Sequence, residues 1–590
     1  MTRANLRAAA AMLAVVAVGG AGASSLAGQA AASEQRTVAR AERLRDAGRS
    51  AEAAAALREH LDRAPTSLAA LALLGELELE AGGGAAFVPY AEAAVAAAPE
   101  AAVARLWWAR ALTGAGLLDS ALAVTGRWLD EAPRAAEARL ARADVELAAG
   151  DSTAAARTLG AAPEPSLATL SRLADLLSVL GDAERLTAAW AGLLALDPPA
   201  TDEVERDLRL AGPDGAGLLE RLRGRLDDHR GAKGAAAIVA LRVGRPAPAR
   251  QLADGARGGD DVEDAAFLRE YAREAESAGL SSEVAWAAGL LVGLSPRPVD
   301  RLRWRAVAAE QALAAGDTVS ARRALEALTR ESEPGDGPHQ LALRRLFGLL
   351  TGDPVSLDEA GAVLGRYVRQ YPDSAGAEAA MRGELAIGHA RAGNLAGAEA
   401  VVAEARTRLR VAVTGPLDAA AARLALYAGR RDSAHERARR SARDTGIDAA
   451  ERTRRLALLT LVQTADTTET RIVGAAAFEL LVSPEAFDPG PTLRELAGAP
   501  ASEGRPATLA FLADQAAAAG RRDIAGGVRR QIVERHAESP EAPEALLDLA
   551  RAAPPPEASA WLERLIIGYP RSALAPVARR LLAELDGDRR

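Results

Sequence analysis

The chain has no cysteine and few aromatic residues, and both shortages limit what kind of protein it can be. Of its 590 residues, 3% are aromatic although 49% are hydrophobic. Without cysteine there is no disulfide framework, no thiolate metal ligand and no thiol for lipid attachment. Alanine and leucine carry the apolar share, and both favour closely packed helices. No long stretch alternates β-branched with polar residues, so we expect almost no sheet.

Lysine is also nearly absent, because Lys233 is the only one in the chain and arginine supplies the remaining positive charge. This bias is typical of a GC-rich genome, which also favours codons for Ala, Gly and Pro. The formal net charge is −8. A nucleic-acid-binding protein needs a concentrated basic face that displaces counterions from phosphates. We therefore expect no nucleic-acid partner.

The N-terminal segment 1–32 has the pattern of a secretory signal peptide. Arg3 and Arg7 precede a short apolar run over 8–18, and small residues at 21–23 and 28–30 offer cleavage sites. We predict processing near residues 23–33 and a periplasmic or secreted mature chain. The alternative is an alanine-rich N-terminus on a cytoplasmic protein. No later segment approaches the roughly 20 apolar residues that span a bilayer, so we expect no transmembrane segment in the mature chain.

Near the N-terminus, four sets of residues each recur at a constant interval of 34 residues, and we call these sets columns. A glycine able to adopt the left-handed conformation would close the first helix of each unit, and a proline would end the second. Small residues in the other two columns, which have Phe87 as their one large member, would let the helices pack closely. The columns are Gly48, Gly82, Gly116 and Gly150; Pro65, Pro99 and Pro133; Ala41, Gly75, Ala109 and Ala143; and Ala53, Phe87, Ala121 and Ala155.

This interval is the period of the tetratricopeptide repeat, and the columns resemble that family over residues 34–165. The third unit carries the family's signature positions as Trp108, Ala109, Leu112, Gly116, Leu118, Ala121 and Pro133. It departs from the pattern at Trp128, where a small residue is usual. In other units Arg40 and Arg142 occupy a position where a hydrophobic residue is usual. The resemblance implies an all-α solenoid of helix-turn-helix hairpins with an extended concave surface.

The remaining chain continues the pattern less regularly. We divide it into a signal peptide at 1–32, an N-terminal array at 33–200, degenerate hairpins at 201–338, and further repeats at 339–483 and 484–590. The glycine-alanine pair of the repeat returns four times beyond residue 300, and loop-like breaks are predicted near 331–338 and 484–506. The four pairs are Gly316/Ala321, Gly393/Ala398, Gly429/Ala434 and Gly520/Ala525.

A second motif marks the C-terminal half. Residues 371–374 read Tyr-Pro-Asp-Ser, 569–572 read Tyr-Pro-Arg-Ser, and 536–539 are a weaker copy. Each serine is expected to cap the helix that follows. The motif resembles the tetratricopeptide domains of two bacterial envelope proteins, the Tol-Pal coordinating protein and the outer-membrane assembly lipoprotein. The lipoprotein's anchoring cysteine is absent here.

No residues are assigned to catalysis, a cofactor or a metal. The six histidines are scattered, and His339 has no evident partner in the sequence. His229 follows two aspartates and is best explained as a solvated helix end. The glycine-rich stretch around Lys233 lacks the Ser or Thr and the preceding strand of a phosphate loop. We therefore predict that the protein is not an enzyme.

The family resemblance also implies where a partner would bind, because the first helix of each hairpin lines the concave face. Its ninth position in successive units is Glu42, Glu76, Arg110 and Asp144, and its twelfth is Arg45, Leu79, Thr113 and Leu147. We predict a peptide groove that includes Glu42, Arg45, Glu76, Arg110 and Asp144. Of the tryptophans, Trp108 and Trp561 are expected in the core and Trp107 on an exposed face.

Together these features predict an exported scaffold that binds a protein or peptide partner in cell-envelope assembly or maintenance. One alternative is an envelope enzyme built on a helical superhelix, such as a peptidoglycan-lytic enzyme, whose catalytic part would lie within 200–300. Another is a purely structural spacer. The sequence names neither the partner nor the oligomeric state.

Overall fold

The computed structural model describes residues 24–226, 229–409, 415–444, 447–500 and 502–587. Residues 1–23 of the predicted signal peptide lie outside the described residues. Within those ranges the chain is almost wholly helical and has no β-strand. The predicted all-α solenoid of paired helices is confirmed. Two compact units divide the chain, Met1–Glu283 and Val284–Arg590.

The first unit consists of successive short helices, joined by turns of a few residues. A single turn of 3-10 helix, Gly212–Asp214, interrupts the series. The helices are α1 (Ser24–Asp46), α2 (Ser50–Leu61), α3 (Leu68–Glu80), α4 (Gly84–Ala97), α5 (Ala102–Gly114), α6 (Leu118–Glu131), α7 (Ala136–Ala148), α8 (Ser152–Gly160), α9 (Leu167–Leu180), α10 (Ala183–Leu196), α11 (Thr201–Leu210), α12 (Gly215–Arg223), α13 (Arg230–Arg242), α14 (Pro246–Ala256) and α15 (Asp261–Ser277).

The second unit begins within the next helix and also contains one 3-10 turn, Pro354–Ser356. Its helices are α16 (Ser281–Leu294), α17 (Pro298–Ala314), α18 (Thr318–Glu331), α19 (Gly337–Thr351), α20 (Leu357–Gln370), α21 (Ala375–Arg391), α22 (Leu395–Arg408), α23 (Gly415–Tyr427), α24 (Arg431–Ser441), α25 (Ala449–Thr464), α26 (Thr467–Val482), α27 (Pro489–Gly498), α28 (Arg505–Ala518), α29 (Arg522–Arg535), α30 (Ala542–Ala552), α31 (Pro555–Gly568) and α32 (Ala575–Gly587).

The repeat glycines close the first helix of each hairpin, as predicted. Gly48, Gly82 and Gly116 have φ values of 73°, 74° and 75°, in the left-handed region that glycine tolerates best. The glycines of the four later glycine-alanine pairs also have positive φ. Aspartates then begin several second helices, and the carboxylate of Asp151 accepts a hydrogen bond from the Ala154 amide at 2.8 Å. The periodic columns therefore correspond to hairpin turns.

The small-residue columns pack at the contacts between helices. Ala53, Phe87, Ala121 and Ala155, which form one column, are all completely buried. Gly75 is glycine for a specific reason, since a β-carbon there would collide with the rings of Trp107 and Phe87. These two rings meet edge to face, with centroids 6.0 Å apart. The ring of one repeat thus occupies the space left by a missing side chain in the preceding repeat.

Two expectations about individual residues are wrong. Trp107 is 7% exposed, so it belongs to the core and is not on an exposed face. Ser374 precedes α21 but makes no capping hydrogen bond with its side chain. Its hydroxyl instead lies 3.4 Å from the Gln340 amide nitrogen, which donates to it. Ser374 therefore contacts the preceding hairpin and does not cap α21, whereas the Ser572 hydroxyl accepts a hydrogen bond from the Leu574 amide at 3.2 Å, just before α32.

Helix pairing changes between α23 and α28. Helix α25 contacts α24 and α28, whereas α26 contacts α21, α23, α24, α27 and α28. The turn between α25 and α26 has no glycine, and Asp466 caps α26 through the Glu469 amide at 2.8 Å. The predicted break at 484–506 includes the ten-residue helix α27. The regular hairpin order is therefore lost in this part of the second unit.

Candidate functional site

The predicted groove residues all lie on one set of helices in the first unit. Helices α1, α3, α5 and α7 contact one another in series. We call the surface they form the first-helix face. Glu42 and Arg45 lie on α1, while Glu76, Arg110 and Asp144 lie on α3, α5 and α7. The hairpin register therefore aligns side chains that are about one repeat apart in sequence.

Four of the five predicted residues come together in one charged cluster. The Arg45 Nη1 atom lies 3.2 Å from the Glu76 Oε2 atom, joining α1 to α3. Burial raises the pKa of the Glu76 carboxyl, and the nearby carboxylates of Glu80 and Glu42 raise it further. Arg45 and Arg110 oppose this rise in pKa. Three successive first helices thus share one electrostatic site.

Asp144 is not part of this cluster. Its carboxylate lies 3.2 Å from the Arg172 Nη2 atom on α9. A similar pair follows, with Asp175 and Arg206 2.8 Å apart between α9 and α11. Exposed ion pairs of this kind contribute about 0–1 kcal/mol each. From α7 of the first-helix face onward to α9 and α11, the helices therefore carry ion pairs that are accessible to solvent and that a ligand can compete for.

Partly exposed apolar side chains accompany these charges. Leu79 and Leu147, at the twelfth position of their units, are both half-buried. Thr113 occupies the same position on α5 and donates its hydroxyl to the Ala109 carbonyl at 2.8 Å, so it offers mainly its methyl group. The face thus alternates charged and apolar positions, which suits the side chains of a bound peptide.

An aromatic ring underlies the centre of the cluster. The Arg110 guanidinium lies over the ring of Trp107, 5.0 Å from its centroid. Because Trp107 is held by Gly75 and Phe87, this contact fixes the base of the Arg110 side chain. The sequence pattern placed Arg110 on the first helix of its hairpin, where α5 carries it, but did not reveal the ring beneath it.

Two histidines, His339 and His60, act as structural links. The ring of buried His339 lies within hydrogen-bond distance of the Ser332 hydroxyl, at 3.1 Å, and of the Gln370 side-chain oxygen, also at 3.1 Å. It thereby joins α19 to the ends of α18 and α20. His60 contacts the Ser67 hydroxyl at 3.2 Å. His229 begins α13 without a capping hydrogen bond, and the two aspartates before it lie outside the described residues.

The sequence reasoning missed a buried charge network in the first unit. Glu283 is 4% exposed and accepts two hydrogen bonds from Arg250, at 2.6 and 3.0 Å. The Tyr271 hydroxyl also donates to Glu283 at 2.9 Å, and burial with this carboxylate raises the tyrosine pKa. The three side chains tie α14, α15 and the start of α16 together. The sequence signal that could have revealed this network was the spacing of Arg250 and Glu283, which have opposite charges and lie nearly one repeat apart.

Within the ranges that the structure covers, no group of three or more His, Cys, Asp or Glu residues is arranged to hold a metal ion. Over the same ranges, no helix combines the length and the hydropathy needed to cross a membrane.

No protein-family model matches the chain, and no curated protein matches it. Solved structures that it resembles include an APC/C hetero-tetramer of Cut9 and Hcn1, with 14% identity, a TM-score of 0.23, and coverage of 89% of this chain and 98% of that one. Another is Naa15/Naa10 bound to HypK-THB, with 12% identity, a TM-score of 0.24, and coverage of 94% and 97%. Because these identities and TM-scores are low, the assignment of the fold rests on the helices described above.

Proposed function

We propose that the protein is a scaffold that binds an extended or helical segment of a partner protein on its first-helix face. The observation that carries the proposal is the shared cluster of Glu42, Arg45, Glu76 and Arg110, contributed by three successive helices. Charged groups of both signs beside half-buried leucines provide side-chain contacts along a peptide. Stacked hairpins supply such a surface without a separate binding domain.

We further propose that the scaffold works in the bacterial cell envelope, as a periplasmic or secreted protein. Support comes from the N-terminal signal pattern and from the motif at 371–374 and 569–572 that resembles envelope proteins. Sequencing the N-terminus of the protein from its native host tests export. A chain processed near residues 23–33 agrees with this location, and an intact Met1 favours the cytoplasmic alternative.

Binding is tested by a pull-down from cell envelopes with the mature protein, followed by affinity measurements on the partner recovered. The double variant R45E/R110E reverses two charges in the cluster and should weaken binding by about tenfold or more. Its free energy of unfolding should change by no more than about 1 kcal/mol, because both side chains are at least partly exposed.

The matched control is R127E/R157E, which reverses two exposed arginines on the second helices α6 and α8. It should retain full affinity. If R45E/R110E also binds as tightly as the unmodified protein, the site lies elsewhere, and the hairpins following Tyr371 become the next candidates.

The lytic alternative has its own measurement. Residues 200–300, where a catalytic part would lie, form helices α11 to α16 and the start of α17. Incubation of the purified protein with isolated peptidoglycan should release no soluble fragments if the chain is a scaffold. Fragment release that persists in a freshly repurified sample would favour the enzyme.

A further inference from the structure

The second unit contains an open cavity of about 800 Å³ that the proposed function does not use. Its wall is formed by α19, α21 and α23 on one side and by α25 and α28 on the other. One arginine projects from each of the first three helices, namely Arg344, Arg391 and Arg423. In a chain of net charge −8, three arginines around one cavity form a local positive site.

The other charges in this cavity are already satisfied. Arg455 is paired with Glu451 at 2.8 Å and Asp444 at 3.2 Å, and Arg454 also reaches Glu451, at 3.0 Å. Asp514 is paired with an arginine of α29 at 3.0 Å. Asp448 caps α25 by accepting a hydrogen bond from the Glu451 amide at 2.7 Å. All these groups are thus engaged within the protein. They leave the three arginines of α19, α21 and α23 as the charges open to a ligand.

Those three arginines lack a matching set of carboxylates. Neither Arg344 nor Arg423 forms an ion pair with any residue that the structure describes. Arg391 donates to the Thr351 carbonyl at 2.9 Å, which leaves its charge uncompensated. Glu384 on α21 lies on the same side as these arginines, and Asp448, Glu451 and Asp514 also line the cavity. With Arg454 and Arg455 included, five arginines and four carboxylates line the cavity, which gives a net charge of about +1 when all are ionised.

Protonation of Glu384 adds to the excess of positive charge in the cavity. The surrounding cavity walls raise the pKa of its carboxyl although the side chain reaches solvent, and the nearby Arg344 opposes the rise. As the pH falls, Glu384 therefore loses its negative charge earlier than an ordinary glutamate. The cavity then becomes more positive.

An apolar cavity of about 550 Å³ adjoins the basic one. The two share Arg344, Gly348, Ala380 and Glu384. Leu341 lies on this side and is 45% exposed. Gly348 has no heavy atom within 4 Å of the position of a β-carbon, so the floor between the two cavities is open. The other apolar lining residues are Leu313, Leu349, Ala377 and Met381.

We infer that these joined cavities bind an acidic peptide segment of a partner protein, with carboxylates against Arg344, Arg391 and Arg423 and an apolar side chain over Leu341. The guanidinium group matches a carboxylate through paired hydrogen bonds, which gives both affinity and orientation. The site is separate from the first-helix face of the first unit and does not depend on it.

The probe is a fluorescein-labelled peptide rich in aspartate, glutamate and leucine, titrated with the full mature chain by fluorescence anisotropy. The same peptide with lysine at each acidic position is the second probe. We expect the acidic peptide to bind and the lysine peptide not to bind. Binding should weaken as salt is raised, since the charges are partly exposed.

The double variant R344Q/R423Q should weaken binding of the acidic peptide by about tenfold or more. Gly348→Phe should block the junction without a clash in the free protein, because the space above it is empty. The control R369Q/R580Q removes the same charge from two exposed arginines of the second unit that lie outside the cavity, and it should stay within about twofold. R45E/R110E should bind the probe normally.

Four results would overturn the inference. One is no binding of the acidic peptide to the unmodified chain up to about 1 mM, and another is equal binding of the lysine peptide. A third is an equal loss in R344Q/R423Q and R369Q/R580Q, which would indicate general charge attraction. The fourth is a dimer in sedimentation that R344Q/R423Q abolishes, because a second copy would then occupy the site.

Discussion

The regular array of the first unit and the region around α26 in the second unit are both built from short α-helices. They differ in how their buried side chains are grouped into clusters. In the array, buried side chains fall into separate clusters, one from Ala41 to Ala111 and smaller ones around Trp128 and Val145. In the second unit one continuous cluster runs from Ala379 to Ala578. The separate clusters occur where the repeat period is strict. The continuous cluster includes the region between α23 and α28, where that period is lost. The continuous cluster thus reaches past α26 into the hairpins from α28 to α32.

The largest effect that tests this comparison is expected at Gly474 on α26. A β-carbon there would collide with the Leu426 carbonyl on α23, and backbone cannot move aside as a side chain can. Gly474→Ala should reduce the free energy of unfolding of the second unit by about 3 kcal/mol. Chemical denaturation of the full chain measures it.

Gly526→Ala on α29 is the matched control, because nothing lies within 4 Å of its β-carbon position. Alanine should be neutral there or stabilise the helix by up to about 1 kcal/mol. Equal losses in the two variants would mean that α26 does not approach α23 as closely as described.

A smaller effect is expected at Gly75 in the regular array. There the obstacle is the Trp107 ring, which can shift, so Gly75→Ala should cost about 1–2 kcal/mol. Denaturation followed by tryptophan fluorescence reports it. In the double variant with Trp107→Phe the cost should shrink, and an unchanged cost would show that the two positions are not coupled.

The smallest expected effect concerns Glu384, whose raised pKa makes its contribution to stability depend on pH. Since the unfolded chain ionises this group near its ordinary value of 4.5 and the folded chain only at higher pH, stability falls as the pH rises through that window. Glu384→Gln should remove this loss of stability, because glutamine does not ionise. The variant should be slightly more stable than the unmodified protein at neutral pH and equal to it below the window.

Thermal melting at several pH values measures this difference. The control is Asp317→Asn, because hydrogen bonds to Ser320 and nearby backbone amides lower the pKa of Asp317. The contribution of the Asp317 carboxyl to stability should therefore have the opposite pH dependence, because it is lost as the pH falls. The same sign in both variants would contradict the assignment.

The sequence was sufficient for the features that repeat locally. Gly48, Gly82 and Gly116 set the hairpin turns, and their spacing placed Glu76 and Arg110 on one face. It was not sufficient for contacts that depend on the path of the chain. The burial of Trp107 is decided by a glycine in the preceding repeat, and the cavity with Arg344 and Arg423 needs helices that are distant in sequence. Such contacts follow no period.

The contacts of α26 also bear on how the protein opens and refolds. A hairpin of the regular array contacts only its neighbours, so it can open at the cost of two interfaces and re-form locally. Helix α26 contacts α27 and α28, which follow it, and also α21, which lies five helices earlier in the chain. These segments must be brought together before any of them is fully buried, and this slows folding. Amide hydrogens from α21 to α28 should therefore exchange as one cooperative block, whereas those of the N-terminal array should exchange hairpin by hairpin.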